Sequence, residues 1–245
     1  MSTPRFYCPP PLSVEPSFEL PSAAAHHAIR VLRLRVNDAV QLFDGTGIEL
    51  HGIIGEISGK RVVLGQLQAR TVSRESPLHI VLAQAMCSSD KMDWIMQKAT
   101  ELGAAEIQPV QTQRSVARLS GERAEKRVEH WLSVIIAACE QCGRNSLPKV
   151  HAPQELSIWL ATLRDVAGSK FILLPHAATA LHQQPQPQGI VTLLIGPEGG
   201  FSADEAQLAR QIGFIPIRLG ARVLRTETAA VAGMAALQTT WGDFK

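Results

Sequence analysis

The stretch "LLIGPEGGFSADE", Leu193 to Glu205, is an apolar run that stops at Gly196, passes through Pro197, Glu198, Gly199 and Gly200, and leads into a helix start. The run before it, "GIVTLLIG", is short, unbroken and rich in β-branched residues, as suits a strand buried on both faces of a parallel sheet. Ser202 and Glu205 have the spacing of a capping box, which predicts a helix from about Ala203 that stops at Gly213. The unit is strand, glycine loop, helix, and ligands of open α/β sheets sit beyond the carboxyl ends of such strands.

The loop does not read as a phosphate cradle. No G-x-x-x-x-G-K-[ST] is present, no lysine follows the glycines, and Glu198 puts a carboxylate where a phosphate would sit. No G-x-G-x-x-G occurs, so a dinucleotide site has no support. A tight turn with no ligand is the plain alternative.

The chain has 245 residues, enough for one or two domains, with 45% hydrophobic and 19% charged residues, as in folded globular proteins. No apolar run reaches the roughly 20 residues that span a bilayer, and "MSTPRFYCPPP" lacks a signal-peptide pattern, so the expected location is cytoplasmic. Net charge is +2 and the pI about 8.4, below the pI above about 9 of dedicated nucleic-acid domains, so any nucleic-acid contact rests on local patches. Of four cysteines, Cys139 and Cys142 form a lone C-x-x-C, half of a zinc site at most, and no metal is expected. Val128, Trp131, Leu132, Ile135, Cys139 and Cys142 share one face at helical spacing, which predicts a buried face.

Residues 1 to 72 alternate short β-type runs with turn signals after a short helix near "AAAHHAIRVL", the pattern of a small sheet or barrel. "TVSRESP", Thr71 to Pro77, reads as a linker. From Leu78, strands and helices alternate, which argues for an α/β domain with a mostly parallel sheet over 73–245. "HAATALHQQPQPQG" reads as an exposed loop. A second strand–glycine–helix unit follows: "FIPIRLG" ends at Gly220, and "ARVLRTETAAVAGMAALQTTW" closes in a small-residue helix with Thr226 as a plausible N-cap. If these two strands are neighbours, both loops face one crevice.

"IGPEGGFSADE" and "LGARVLRTETA", with "HHAIRVLRLRVNDAVQLFDG", "KMDWIMQKATELGAAEIQPVQTQRS" and "AACEQCGR", resemble in order the motifs of the bacterial RsmE family of SPOUT-class RNA methyltransferases. The resemblance implies a PUA-like RNA-binding β-barrel over 1–72 and a SPOUT α/β domain with a trefoil knot over 73–245. It implies a cytoplasmic homodimer that transfers a methyl group from S-adenosylmethionine to N3 of a uridine in small-subunit (16S) ribosomal RNA, as free RNA or as the assembled subunit.

By the same resemblance, Leu174, Pro175, Ile195, Gly196, Pro197, Glu198, Gly199, Gly200, Leu219, Gly220, Val223, Leu224, Arg225 and Thr228 line the cofactor pocket. Negative charge develops on the uridine imide as its N3 proton leaves, and a fixed cation there stabilises the transition state. Arg225 is the candidate, with Glu227 either accepting the proton or holding Arg225. Candidate RNA contacts are Arg5, Arg30, Arg33 and Arg35 in the first domain, and Lys91, Lys98, Arg114, Arg118 and Arg144 in the second. Lys91, Trp94 and Lys98 share one helix side, a basic strip with a stacking aromatic or simply a solvated face. A non-catalytic RNA-binding scaffold, a SPOUT enzyme acting on another RNA atom, and a nucleotide hydrolase are the competing readings.

Overall fold

The structure, a computed structural model, describes residues 3–244 and divides into two compact units. The first runs to Glu75 and also takes in Ile136–Leu147; the second comprises Ser76–Ile135 and the chain from Pro148 onward.

In the first unit, β1 (Arg5–Tyr7), β2 (Ser17–Glu19), β3 (Ala39–Phe43), β4 (Glu49–Ser58) and β5 (Arg61–Arg70) form one sheet in the order β1-β3-β4-β5-β2. Only the β1–β3 pair is parallel. Helix α1 (Ser22–His26) runs on into a single wide turn, His27–Val31. Alternate residues Val40, Leu42, Leu50, Ile54, Val62 and Leu64 point into a core shared with Ala25 and Ala28 of this helical stretch. The segment read as a linker is pinned: Asn145 Nδ2 donates to the Val72 carbonyl (3.0 Å), and Arg74 Nη1 donates to the Gly143 carbonyl (3.0 Å). Glu75 accepts from Arg144 Nη2 at 2.6 Å. Its polar composition serves hydrogen bonds instead of flexibility.

In the second unit, β6 (His79–Ala85), β7 (Ala104–Gln111), β8 (Lys149–Val150), β9 (Gln154–Glu155), β10 (Ser169–Leu173), β11 (Thr179–Ala180), β12 (Ile190–Ile195) and β13 (Ile215–Arg218) form a parallel sheet. The order is β11-β13-β10-β12-β6-β7-β8, with β9 also on β7. Pro109, which lacks an N–H, is tolerated inside β7 because β8 pairs at Glu106–Ile107 and β9 only from Val110. The strands of the two glycine units, β12 and β13, are not neighbours: β10 lies between them. Because all three are parallel, the loops after β10, β12 and β13 leave the same edge.

Four helices complete this unit with part of a fifth: α2 (Ser89–Glu101), α4 (Leu156–Thr162), α5 (Ala203–Gln211), α6 (Thr226–Trp241) and the larger part of α3 (Gly121–Cys142). Helix α6 comes close to β12 at Gly233, where a Cβ would sit 2.8 Å from Leu193 Cδ2. Trp131 and Ile135 are buried as the helical spacing predicts, but Leu132 is exposed, one position off that face. Cys139 is buried and Cys142 half-buried; their mutual hydrogen bond and burial hold the Cys139 thiol well above the usual range. Within the loop read as exposed, β11 forms and Ala177 and Leu181 are buried. No helix among the described residues is long and apolar enough to cross a membrane.

Candidate functional site

The three loops enclose a cavity of about 820 Å³ at the carboxyl edge of β10, β12 and β13. It is lined by Leu174 and Pro175 after β10, Ile195 to Phe201 after β12, and Leu219 to Thr226 without Ala221 after β13. Thirteen of the fourteen pocket residues expected from sequence line it; Thr228 does not. Thr228 lies on the exposed side of α6, because two residues of helix rotate it about 200° from Thr226; Ala229, a further residue on, faces the cavity instead. The loop bends at Gly200 (φ +67°), a left-handed conformation that a side chain disfavours.

Ser202 caps α5 as predicted: Glu205 N donates to Ser202 Oγ (3.2 Å) and Ser202 N donates to Glu205 Oε2 (2.8 Å). The other oxygen of Glu205 accepts from Gln113 N at 2.8 Å, which places Arg114 beside the loop. Arg114 Nη1 donates to the Gly199 carbonyl at 2.9 Å, and its stem fills the space a Cβ at Gly199 would need.

Thr226 is not the N-cap of α6; it is the first helical residue and Arg225 is the cap. The buried Thr226 hydroxyl joins three elements instead. It donates to the Gly196 carbonyl (2.6 Å) and accepts from Gln84 Nε2 (2.9 Å) at the end of β6. One hydroxyl thus fixes the first peptide of the glycine loop against the helix that follows the other loop. Thr226→Val keeps the shape and removes the bond, leaving the Gly196 carbonyl unpaired, and is expected to weaken binding of a ligand in the cavity about tenfold. Thr226→Ser is expected to restore it, as titration calorimetry of both variants would show.

The electrostatics centre on Lys91 of α2. Its Nζ is 3.0 Å from Glu198 Oε1 and 3.5 Å from Glu227 Oε2, so one ammonium faces a carboxylate from each loop unit. Burial opposes ionisation of Glu198 most strongly, but the Lys91 hydrogen bond and charge together with backbone hydrogen bonds outweigh it, and its pKa is lowered. The hydrogen bond to Glu198 raises the Lys91 pKa in turn. Glu227 Oε2 is buried without a hydrogen bond. Its ion-pair partner among the described residues is Lys91, so the expectation that Glu227 holds Arg225 is replaced by this pair. Sequence reasoning missed Gln84 and read Thr226 only as an N-cap, because their mutual contact spans 142 positions; it placed Lys91 among the RNA contacts.

The remaining basic candidates separate into three groups. The side chains of Arg5 and Arg144 are largely covered: Arg5 pairs with Glu49 at 2.8 Å and Arg144 with Glu75 at 2.6 Å, so neither offers its charge to a phosphate. Lys98 is tied to Glu101 and Arg118 to Glu155. Arg30, Arg33 and Arg35 are exposed beside the exposed Val31, Leu32 and Val36, with Arg33 in the left-handed region (φ +55°). Among the described residues no group of His, Cys, Asp and Glu could hold a metal.

Comparison with known proteins adds the assignment. The RNA methyltransferase domain family matches residues 74–238, and the RNA methyltransferase PUA domain family matches residues 20–66. The ribosomal RNA small subunit methyltransferase E of Buchnera aphidicola (strain APS) is 34% identical over 99% of this chain and 95% of its own length. The enzyme of the same name from Neisseria gonorrhoeae, solved bound to S-adenosylmethionine, superposes with TM-score 0.91 at 39% identity over the full length of both chains. A methyltransferase from Legionella pneumophila, solved in complex with the same cofactor, gives 0.92 at 39%, again over both full lengths. A domain match across the whole parallel-sheet unit, with relatives aligned nearly end to end, shows that this chain belongs to the ribosomal RNA small subunit methyltransferase E family.

Proposed function

We propose that this protein is an S-adenosylmethionine-dependent methyltransferase that methylates N3 of one uridine in small-subunit (16S) ribosomal RNA. The observation that carries the reading is the cavity shared by three strand-end loops, in a chain 39% identical to proteins solved with that cofactor. The cavity suits it. Its volume of about 820 Å³ falls within the range of small-molecule sites. Leu174, Ile195, Leu219 and Leu224 supply apolar walls for a flat heterocycle, and the glycine loop supplies backbone polar groups.

When bound, the cofactor supplies an electrophilic methyl on a sulfonium. The chain has to hold the uridine, stabilise its imide anion and take up a proton. Arg225 lines the cavity at the N-terminus of α6, where free backbone N–H groups add positive potential. We assign it to the developing charge on the uridine carbonyl oxygens. Glu227 does not itself line the cavity; as the carboxylate that shares Lys91 with Glu198 at its edge, it is assigned to the N3 proton.

The further assignments follow from the family. We assign residues 1–72 to the PUA-like RNA-binding domain and 73–245 to the SPOUT catalytic domain, supported by the matches at 20–66 and 74–238, while the compact first unit also takes in Ile136–Leu147. The loops after β10, β12 and β13 form a trefoil knot around the cofactor, the active form is a homodimer, and the enzyme works in the cytoplasm, where its ribosomal substrate is. Arg30, Arg33 and Arg35 contact the RNA backbone.

The test is methyl transfer from labelled S-adenosylmethionine to small ribosomal subunits that lack the modification, with mass spectrometry of the nucleosides. N3-methyluridine at one site is the expected product. Label on another atom would move the chain to a different substrate, and no transfer with no cofactor binding would leave an RNA-binding scaffold.

A further inference from the structure

The cavity carries more positive charge than its cofactor can use. Five lysine and arginine side chains line it (Lys91, Arg114, Arg210, Arg222 and Arg225), against one carboxylate among the described residues, Glu198. S-adenosylmethionine has an ammonium, a carboxylate and a sulfonium, and is itself a net cation. A cavity serving it alone would not gather guanidinium groups. Two of the five are committed: Lys91 to Glu198, and Arg114 to the Gly199 carbonyl. Arg225 is taken by the proposed chemistry.

Arg210 and Arg222 remain. Both are exposed, and among the described residues neither has an ion pair or a side-chain hydrogen bond. Arg222 folds back so that its Nη2 lies 3.9 Å from where a Cβ on Gly220 would be. A smaller cleft shares Pro175, His176 and Gly220 with the cavity and adds Arg218, also exposed and unpaired. Arginine left unpaired at a cavity mouth suits bidentate capture of phosphate oxygens.

We infer that Arg210, Arg218 and Arg222 form a phosphate-binding rim, where the RNA backbone flanking the target uridine docks so that the base can enter the cavity. This rests on the function proposed above and names residues that the sequence reading did not consider. The rim positions the strand and does not touch the reacting atoms. Phosphate contacts hold register and orientation without reading sequence. They also make binding depend on salt.

The experiment measures binding of unmodified small ribosomal subunits to the wild-type protein and to Arg222→Ala, Arg222→Lys and the Arg210→Ala/Arg218→Ala double variant, across a salt series. Calorimetry of S-adenosylmethionine runs beside it. Arg222→Ala is expected to weaken subunit binding roughly tenfold and flatten the log–log salt slope by about one. Arg222→Lys should retain most of the slope, the double variant should lose about two, and cofactor affinity should stay within about twofold throughout. An unchanged slope in all three variants would overturn the rim. So would loss of cofactor affinity in Arg222→Ala, since that side chain would then be holding the cofactor's carboxylate. If the wild-type protein itself neither binds nor methylates the subunit, the proposed function fails instead, and the two failures are told apart.

Discussion

Arg225→Ala is expected to slow methyl transfer to the small subunit by about 10²–10³-fold at saturating cofactor and subunit, the loss seen when one preorganised donor to a developing oxyanion is removed. The reason is position. Arg225 ends the loop after β13 in an extended conformation (φ −65°, ψ 155°) and caps α6, so its backbone is set by the helix start while its side chain stays at the cavity. Its guanidinium has no ion pair among the described residues, so its charge is available to the reacting base. Arg225→Lys should recover part of the rate, since an ammonium keeps the charge but not the planar fork. Cofactor affinity should change far less than the rate, which separates loss of transition-state stabilisation from loss of binding. A wild-type rate in Arg225→Ala would remove this residue from the chemistry.

The features legible in the sequence are those encoded locally. Ser202 and Glu205 announce the start of α5 three residues apart, and β12 shows as an apolar run interrupted only by Thr192 because it is buried on both faces. The two glycine loops were readable for the same reason. The strand between them was not. Nothing in "KFILLP" says that it pairs with β12 on one side and β13 on the other, because strand order is decided by long-range packing. The same limit hid the Thr226 hydroxyl, whose partners Gly196 and Gln84 are 30 and 142 positions away. Charge misled where partners were distant: Lys91 reads as a solvated cation on a helix, yet its partners are Glu198 and Glu227. Arg210 on α5, Arg218 at the end of β13 and Arg222 on the loop after it form no basic run in the sequence; the fold places Arg210 and Arg222 at the cavity and Arg218 at the adjoining cleft.

Arg5 leads to the second large effect. Beside the exposed Arg30 and Arg33 it passed for a phosphate contact, but it sits in a network closed around Glu49, whose side chain is fully buried. Arg5 Nη1 (2.8 Å) and Arg74 Nη1 (3.1 Å) donate to Glu49 Oε2, and His51 Nε2 lies 2.8 Å from Oε1. Arg5 Nη2 also donates to Asn145 Oδ1 (2.7 Å) and the Arg144 carbonyl (3.0 Å), while its guanidinium lies over the Phe43 ring at 4.9 Å. Burial alone would raise the Glu49 pKa. The hydrogen bonds from His51, Arg5, Arg74 and Asn145 more than offset it and lower the pKa from 4.5 to about 2. Because the folded pKa lies below the unfolded one, this carboxylate contributes its full stability above pH 4.5 and loses it as pH falls toward 2. Glu49→Gln leaves the Arg5 guanidinium buried without its counter-charge, and is expected to cost about 3–5 kcal/mol at neutral pH. The variant's stability should fall less steeply than the wild type's between pH 4.5 and about 2. Native-state hydrogen exchange of the β3 and β4 amides reads the first unit directly, and the wild-type minus variant difference removes other titrating carboxylates. A loss under about 1 kcal/mol, or parallel pH slopes, would mean that desolvation cancels the network and that Arg5 is held there for packing alone.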